Sequence, residues 1–99
     1  MNKASTNYEE GLLADLRDPE EAAAYLNAAL EEGSQELFLL ALRDVANARG
    51  ITQLARETSL NRENLYRMLS EKGNPQLFSL TALLDVLGLR LAIESKRAA

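Results

Sequence analysis

The chain contains neither cysteine nor histidine. Without cysteine there is no disulfide framework, no thiolate nucleophile and no thiolate metal ligand. Without histidine the commonest general base and metal ligand is missing as well, so neither an enzyme nor a bound metal or cofactor is expected. Carboxylates alone could do acid–base work, but no pair of them stands in an apolar setting that would shift its ionisation. No run approaches the roughly 20 apolar residues of a membrane span. The opening residues, Met1-Asn-Lys-Ala-Ser-Thr-Asn7, lack the apolar core of a signal peptide. These absences point to a cytoplasmic protein that meets no membrane and works by binding.

A length of 99 residues is enough for one domain and not comfortably for two. The net charge of −4 is unevenly spread. Residues 1–50 hold 4 Lys/Arg against 10 Asp/Glu, a net of −6, while residues 51–99 hold 7 against 5, a net of +2. A basic excess favours nucleic acid, because it replaces counterions on phosphates. An acidic front half favours a second, basic partner.

The basic half carries the most informative stretch, Ile51 to Glu71. Leu54, Ala55, Leu60, Leu65, Met68 and Leu69 fall where two short helices would bury them against each other. Ala55 is small where the second helix must pass, and Leu60 fills the corner. Asn61 is placed to cap the second helix, its side-chain oxygen accepting from an orphan N–H of the first turn. That helix then offers Arg62, Glu63, Asn64, Tyr66 and Arg67 outward. These side-chain types read base edges or grip phosphates in a major groove, so the stretch has the pattern of a DNA-binding helix-turn-helix.

Two flanking features support that pattern over an ordinary corner between helices. Thr52-Gln53 would open the first helix with a cap and an amide able to meet a phosphate. Lys72-Gly73-Asn74 would close the second with a cation and exposed backbone N–H groups. Tyr66 is expected on the exposed side, where a large ring has no core to fill. Glu63 either accepts from a cytosine amine or holds Arg67 four residues on. Arg43 and Arg56 read as surface charges, and Tyr25 as a half-buried packing residue.

Glycines punctuate the remainder. Gly33, Gly50, Gly73 and Gly88 each follow a segment of helical period, where a left-handed C-cap is wanted. Residues 1–17 form a polar segment in which Tyr8, Leu12, Leu13 and Leu16 would make a short apolar contact. Asp18-Pro19-Glu20-Glu21 starts a helix with an Asp cap, Pro in the first turn and a Glu three residues on. Its inner face is Ala22, Tyr25, Leu26, Ala29 and Leu30. Ser34 caps a helix to about Arg49, whose Leu37-Phe-Leu-Leu-Ala-Leu42 run makes it the central buried helix. Asn74-Pro75 breaks the chain. A fifth helix covers about Gln76 to Leu87, with Leu80, Leu83, Leu84 and Leu87 inward. Leu89-Arg-Leu-Ala-Ile-Glu94 alternates apolar and polar as a short strand would, one that must pair, most economically with the same strand of a second copy. Residues 18–94 are thus expected to form one domain, with 95–99 as a tail.

With this order in view, the chain resembles the HigA-like antitoxins, addiction-module antidote proteins with an Xre/Cro-type helix-turn-helix. The carrying residues are Asp18-Pro19-Glu20, Ala24-Tyr25-Leu26-Asn27, Ala29-Leu30-Glu31-Glu32-Gly33, Ala41-Leu42-Arg43-Asp44-Val45 and Ala48-Arg49-Gly50. They continue through Thr52-Gln53-Leu54-Ala55, Leu65-Tyr66, Leu69-Ser70, Lys72-Gly73-Asn74-Pro75 and Leu87-Gly88-Leu89. The likeness spans about residues 14–94, and the Leu-Ser-x-x-Gly-Asn-Pro block is its most specific part. Two positions depart from the family's pattern: Ser59 stands where a turn glycine is common, and Asn61 where serine usually caps the helix.

The resemblance implies an all-α, five-helix Xre/Cro-like bundle, and a homodimer that represses its own operon and neutralises a ribonuclease-like toxin. The DNA-contacting residues would be Thr52, Gln53, Asn61, Arg62, Glu63, Asn64, Tyr66, Arg67, Lys72 and Asn74. Glu20, Glu21, Glu31 and Glu32, which crowd the two ends of one helix, would face the toxin. Two alternatives remain open from sequence: a stand-alone prophage-type repressor, and an interaction module that no longer binds DNA.

Overall fold

The computed structural model describes residues 11, 14–70 and 72–98. Five α-helices lie wholly within them: α1 (Pro19–Glu31), α2 (Gln35–Arg49), α3 (Ile51–Thr58), α4 (Arg62–Met68) and α5 (Leu77–Val86). A 3-10 turn, Lys96–Ala98, follows, and no strand occurs among the described residues. The expected contact of Tyr8, Leu12 and Leu13 lies outside the described residues.

The central position of α2 follows from its composition. Leu39, Leu42, Val45 and Ala46 are almost completely shielded from water, and Ala41 and Ala48 are buried on its flanks. Alanines at those flanks let neighbours approach, and α1 and α3 both pack on α2. α3 in turn packs on α4 and α5. Leu16 from before α1, Leu26 of α1, Leu54 of α3, Leu65 of α4 and Leu83 of α5 complete one continuous core.

The helix boundaries obey local rules. Pro19 occupies the first turn of α1, where its missing N–H costs nothing. Asp18 stands at the cap position, yet its side chain makes no capping bond; Glu20 and Glu21 supply negative charge to the first turn instead. Ser34 does cap α2, accepting from the Leu37 amide at 3.2 Å. Gly33, Gly50 and Gly88 take positive φ, and Gly50 at φ 107° both ends α2 and begins α3 without a break in packing.

Three further sequence expectations change. The segment Leu89–Glu94 forms no strand: residues 89–95 run irregularly, because a single chain offers this segment no edge to pair with. Thr52 is not a cap, since Gly50 holds that position and Thr52 lies inside the first turn of α3. Gly73 does not take a left-handed conformation; it is buried, and a Cβ there would lie 2.5 Å from the Met68 carbonyl oxygen. A left-handed residue that the glycines did not mark is Ser59, which ends α3 at φ 65° and ψ 13°.

Ser59 pays a steric penalty that glycine would not, since its Cβ crowds the neighbouring carbonyl. Replacing it by glycine is therefore expected to raise stability by about 1 kcal/mol. Urea unfolding checks this. A loss of stability would mean that the seryl side chain contributes more to the turn than its backbone strain removes.

Candidate nucleic-acid interface

α3, a three-residue turn (Ser59, Leu60, Asn61) and α4 form the unit singled out by the sequence. Its inside is apolar, with Leu54, Leu65, Met68 and Leu69 buried and Ala55 and Leu60 packed against them. The turn is held by a side chain that the sequence reading passed over. The Thr58 hydroxyl donates to the Leu54 carbonyl at 2.6 Å and accepts from the Leu60 amide at 3.1 Å. Asn61 then caps α4, its Oδ1 accepting from the Asn64 amide at 2.7 Å. Two short helices are thereby fixed at a corner by polar bonds on the outside and leucines on the inside.

The outer face of α4 is polar and open. Arg62, Glu63, Asn64, Tyr66 and Arg67 are all exposed. Tyr66 keeps 54% of its surface in water although it is the largest side chain on the helix. The Arg62 guanidinium carbon lies 6.0 Å from its ring centroid, and Arg62 Nη2 donates to the Tyr66 hydroxyl at 3.5 Å. Arg67 Nη1 donates to Asn64 Oδ1 at 3.4 Å. Arg67 is thus bonded to Asn64 and not to Glu63; the one ion pair among the described residues is Arg49–Glu57, at 3.6 Å. Glu63 is left without the partner that the second of its two sequence readings required.

Beyond α4 the chain makes a polar groove. Asn64, Arg67, Ser70, Lys72, Asn74 and Gln76 all line it, so residues from α4 and from the following turn are brought together. Gly73 lies beneath, close against the end of α4, and its carbonyl accepts from Gln35 Nε2 at 3.3 Å. Gln35, which no motif marks, therefore ties the start of α2 to this turn. Thr52 and Gln53 are exposed on α3 and do not join the groove. The Gln53 amide donates along its own helix to Glu57 Oε2 at 3.1 Å. Chemically the arrangement is a convex helix carrying two guanidiniums, a phenol and an amide, flanked by a groove with an ammonium and further amides.

The acidic residues assigned to a second partner are exposed but not clustered. Glu20 and Glu21 begin α1, whereas Glu31 and Glu32 end it. At 1.5 Å per helical residue the two pairs stand about 16 Å apart. Tyr25, midway between them, is half-buried and donates to Asp44 Oδ2 at 2.6 Å, which joins α1 to α2. Leu77 and Phe78, at the start of α5, stand exposed without any sequence signal to announce it.

Comparison with known proteins bears on the whole of this unit. The family described as "Probable addiction module antidote protein" matches residues 9–95. The chain belongs to that family. An uncharacterized protein of Haemophilus influenzae (strain Rd) is 39% identical over 84 residues, covering 85% of this chain and 87% of the relative. No solved structure matches the chain. Antidote-family membership agrees with the antitoxin resemblance drawn from the sequence at the level of the family. No helix among the described residues is long and apolar enough to cross a membrane.

Proposed function

We propose that this antidote-family protein is the antitoxin of a type II toxin–antitoxin module, a homodimer that binds operator DNA through an Xre/Cro-type helix-turn-helix formed by α3 and α4. On this reading residues 18–94 are the DNA-binding domain, and the protein represses its own operon while masking a ribonuclease-like toxin. The observation that carries the DNA reading is the outer face of α4. Two guanidiniums, an amide and an exposed tyrosine share one helix surface whose opposite side is fully buried. In a major groove Arg67 and Asn64 would meet base edges, and Arg62 and Tyr66 the edge of the groove. Asn61, Thr52, Gln53, Lys72 and Asn74 would lie against phosphate and sugar, and Glu63 would accept from a cytosine amine. One short helix per chain offers few base contacts, so a dimer would present two of them one helical turn apart, roughly 34 Å.

Binding to the DNA upstream of the protein's own reading frame tests this. Arg67→Ala is expected to cost about 1–3 kcal/mol per half-site and to relax base preference. Lys72→Ala is expected to weaken operator and random DNA alike. Losing two phosphate contacts per dimer flattens the dependence of log K on log salt by about 1.8. Absence of any salt-dependent binding to this DNA would overturn the reading.

The toxin side of the proposal rests on the acidic ends of α1. Glu20 and Glu21 are favourably placed at its amino end. Glu31 and Glu32 sit at the carboxyl end, where the helix dipole is already negative and no basic residue occupies the last turn. Charges placed against the local field suit a site that a basic partner neutralises. Reversing Glu31 and Glu32 to lysine is expected to slow toxin association several-fold at low salt while leaving DNA binding intact. Toxin capture at the wild-type rate would remove this end of α1 from the toxin surface.

A further inference from the structure

The segment after α5 carries a property that its irregular conformation conceals. Leu89 is anchored, its amide bonded to the Leu84 carbonyl at 2.8 Å and its side chain packed on the core. The residues beyond it are not. Ile93 is 97% exposed and Leu91 48% exposed, an unusual state for two large aliphatic side chains so close together. Alongside runs an open groove of about 570 Å³ whose apolar wall includes Leu26, Leu30, Phe38 and Leu91. The backbone of residues 90–94 forms no bond within any helix or strand of its own chain.

We propose that residues 90–94 pair antiparallel with the same residues of a second copy, about a two-fold axis at Ala92. This deepens the homodimeric reading above and rests on it. The argument is the order of residues. An antiparallel pair centred on Ala92 sets Arg90 opposite Glu94 of the partner copy, twice, and Leu91 opposite Ile93 of the partner copy, twice. Charged pairs fall on one face and apolar pairs on the other, as the alternation of a strand requires. Neighbouring registers fail. Centring on Leu91 sets Arg90 against Ala92, and centring on Ile93 sets it against Lys96. Centring on Arg90 or Glu94 sets like charge on like, and so does a parallel, in-register pair. A half-residue slip puts charge against aliphatic and turns the apolar side chains to the wrong face. One register therefore satisfies charge and apolar contact together, and it is isologous, so the contact closes on itself as a dimer. The pairing brings Ile93 of the partner copy to the Leu91 side of the groove, covering the side chains that one chain leaves in water.

Sedimentation of the full chain without DNA tests the proposal. Arg90→Glu alone and Glu94→Arg alone are each expected to raise the dimer dissociation constant at least tenfold, with helical content unchanged because both positions are exposed. Combining the two reversals restores the charge pairs and is expected to return the constant to within about threefold of the wild type. A geometric test uses the absence of cysteine. Ala92→Cys sits opposite itself, within disulfide reach of about 4.4–6.8 Å, and is expected to cross-link two copies under mild oxidation. Ser95→Cys lies several residues from its own mate and is expected not to. A chain that stays monomeric removes both the dimer and this pairing. A dimer indifferent to the single reversals, or one not rescued by the double, removes the pairing and leaves the dimer to another surface.

Discussion

Replacing Leu65 with alanine is expected to cost about 3–5 kcal/mol, the upper part of the range for a buried leucine. Leu65 is completely shielded from water on the inner face of α4, a helix of only 7 residues. So short a helix has no stability of its own; its packed face holds it in place. The emptied volume also has little means of collapse, because Leu54 and Leu69 beside it are anchored in the same core. At about 4–8 °C per kcal/mol for a domain of this size, the midpoint of thermal unfolding should fall by roughly 12–40 °C. Arg67, two residues on, makes the contrast: it is exposed, and its truncation should move the midpoint by no more than about 4 °C while weakening the DNA binding proposed above. A loss of less than about 1 kcal/mol for Leu65→Ala would show that α4 is held by something other than its inner face.

Gly73→Ala is expected to cost about 3 kcal/mol, although it adds a single methyl group. The added Cβ would lie 2.5 Å from the Met68 carbonyl oxygen and 2.9 Å from that of Arg67. Both are backbone atoms at the end of α4, so relief demands movement of the helix end, not rotation of a side chain. Movement there would also disturb the Gly73–Ser70 and Gly73–Gln35 hydrogen bonds. The polar groove holding Arg67, Lys72 and Asn74 is built on the same backbone, so under the proposed function DNA affinity should fall with stability. Gly11→Ala is the control, since Gly11 is helical and its Cβ position meets nothing within 4 Å. Urea unfolding of the two variants separates a steric effect from the general effect of removing glycine. Equal, small changes in both would place the turn further from α4 than these distances allow.

Gly73 also marks where sequence reasoning reached its boundary. Its position after a helical segment suggested a left-handed cap, the commonest reason for glycine there. The real reason, close approach of two backbone segments, leaves no periodicity and no local signal. Ser59 is the converse case. The left-handed turn is present where helix-turn-helix proteins often put glycine, but serine occupies it, so composition alone did not declare the conformation. Gln35 escaped notice because its bond to the Gly73 carbonyl depends on where a remote segment lies. The Thr58 bond to the Leu54 carbonyl is local, one turn back along α3, but is only one of the partners open to a helix-terminal threonine.

By itself the sequence determined the helices, their order and most of their buried faces, because helical periodicity, Pro19, Ser34 and Asn61 act over three or four residues; Leu30 and Leu37, expected inward, stand exposed instead. It also determined which side chains of α4 point outward, since Leu65 and Met68 leave only one face for Arg62, Asn64, Tyr66 and Arg67. Tertiary structure alone decided that Arg67 bonds Asn64 and not Glu63, and that Lys72 and Asn74 share a groove with both. It decided too that Leu89–Glu94 remains unpaired. The first two turn on which of several nearby rotamers and turns the packed chain adopts, and the last on a partner the single chain lacks; neither is written in a helical period.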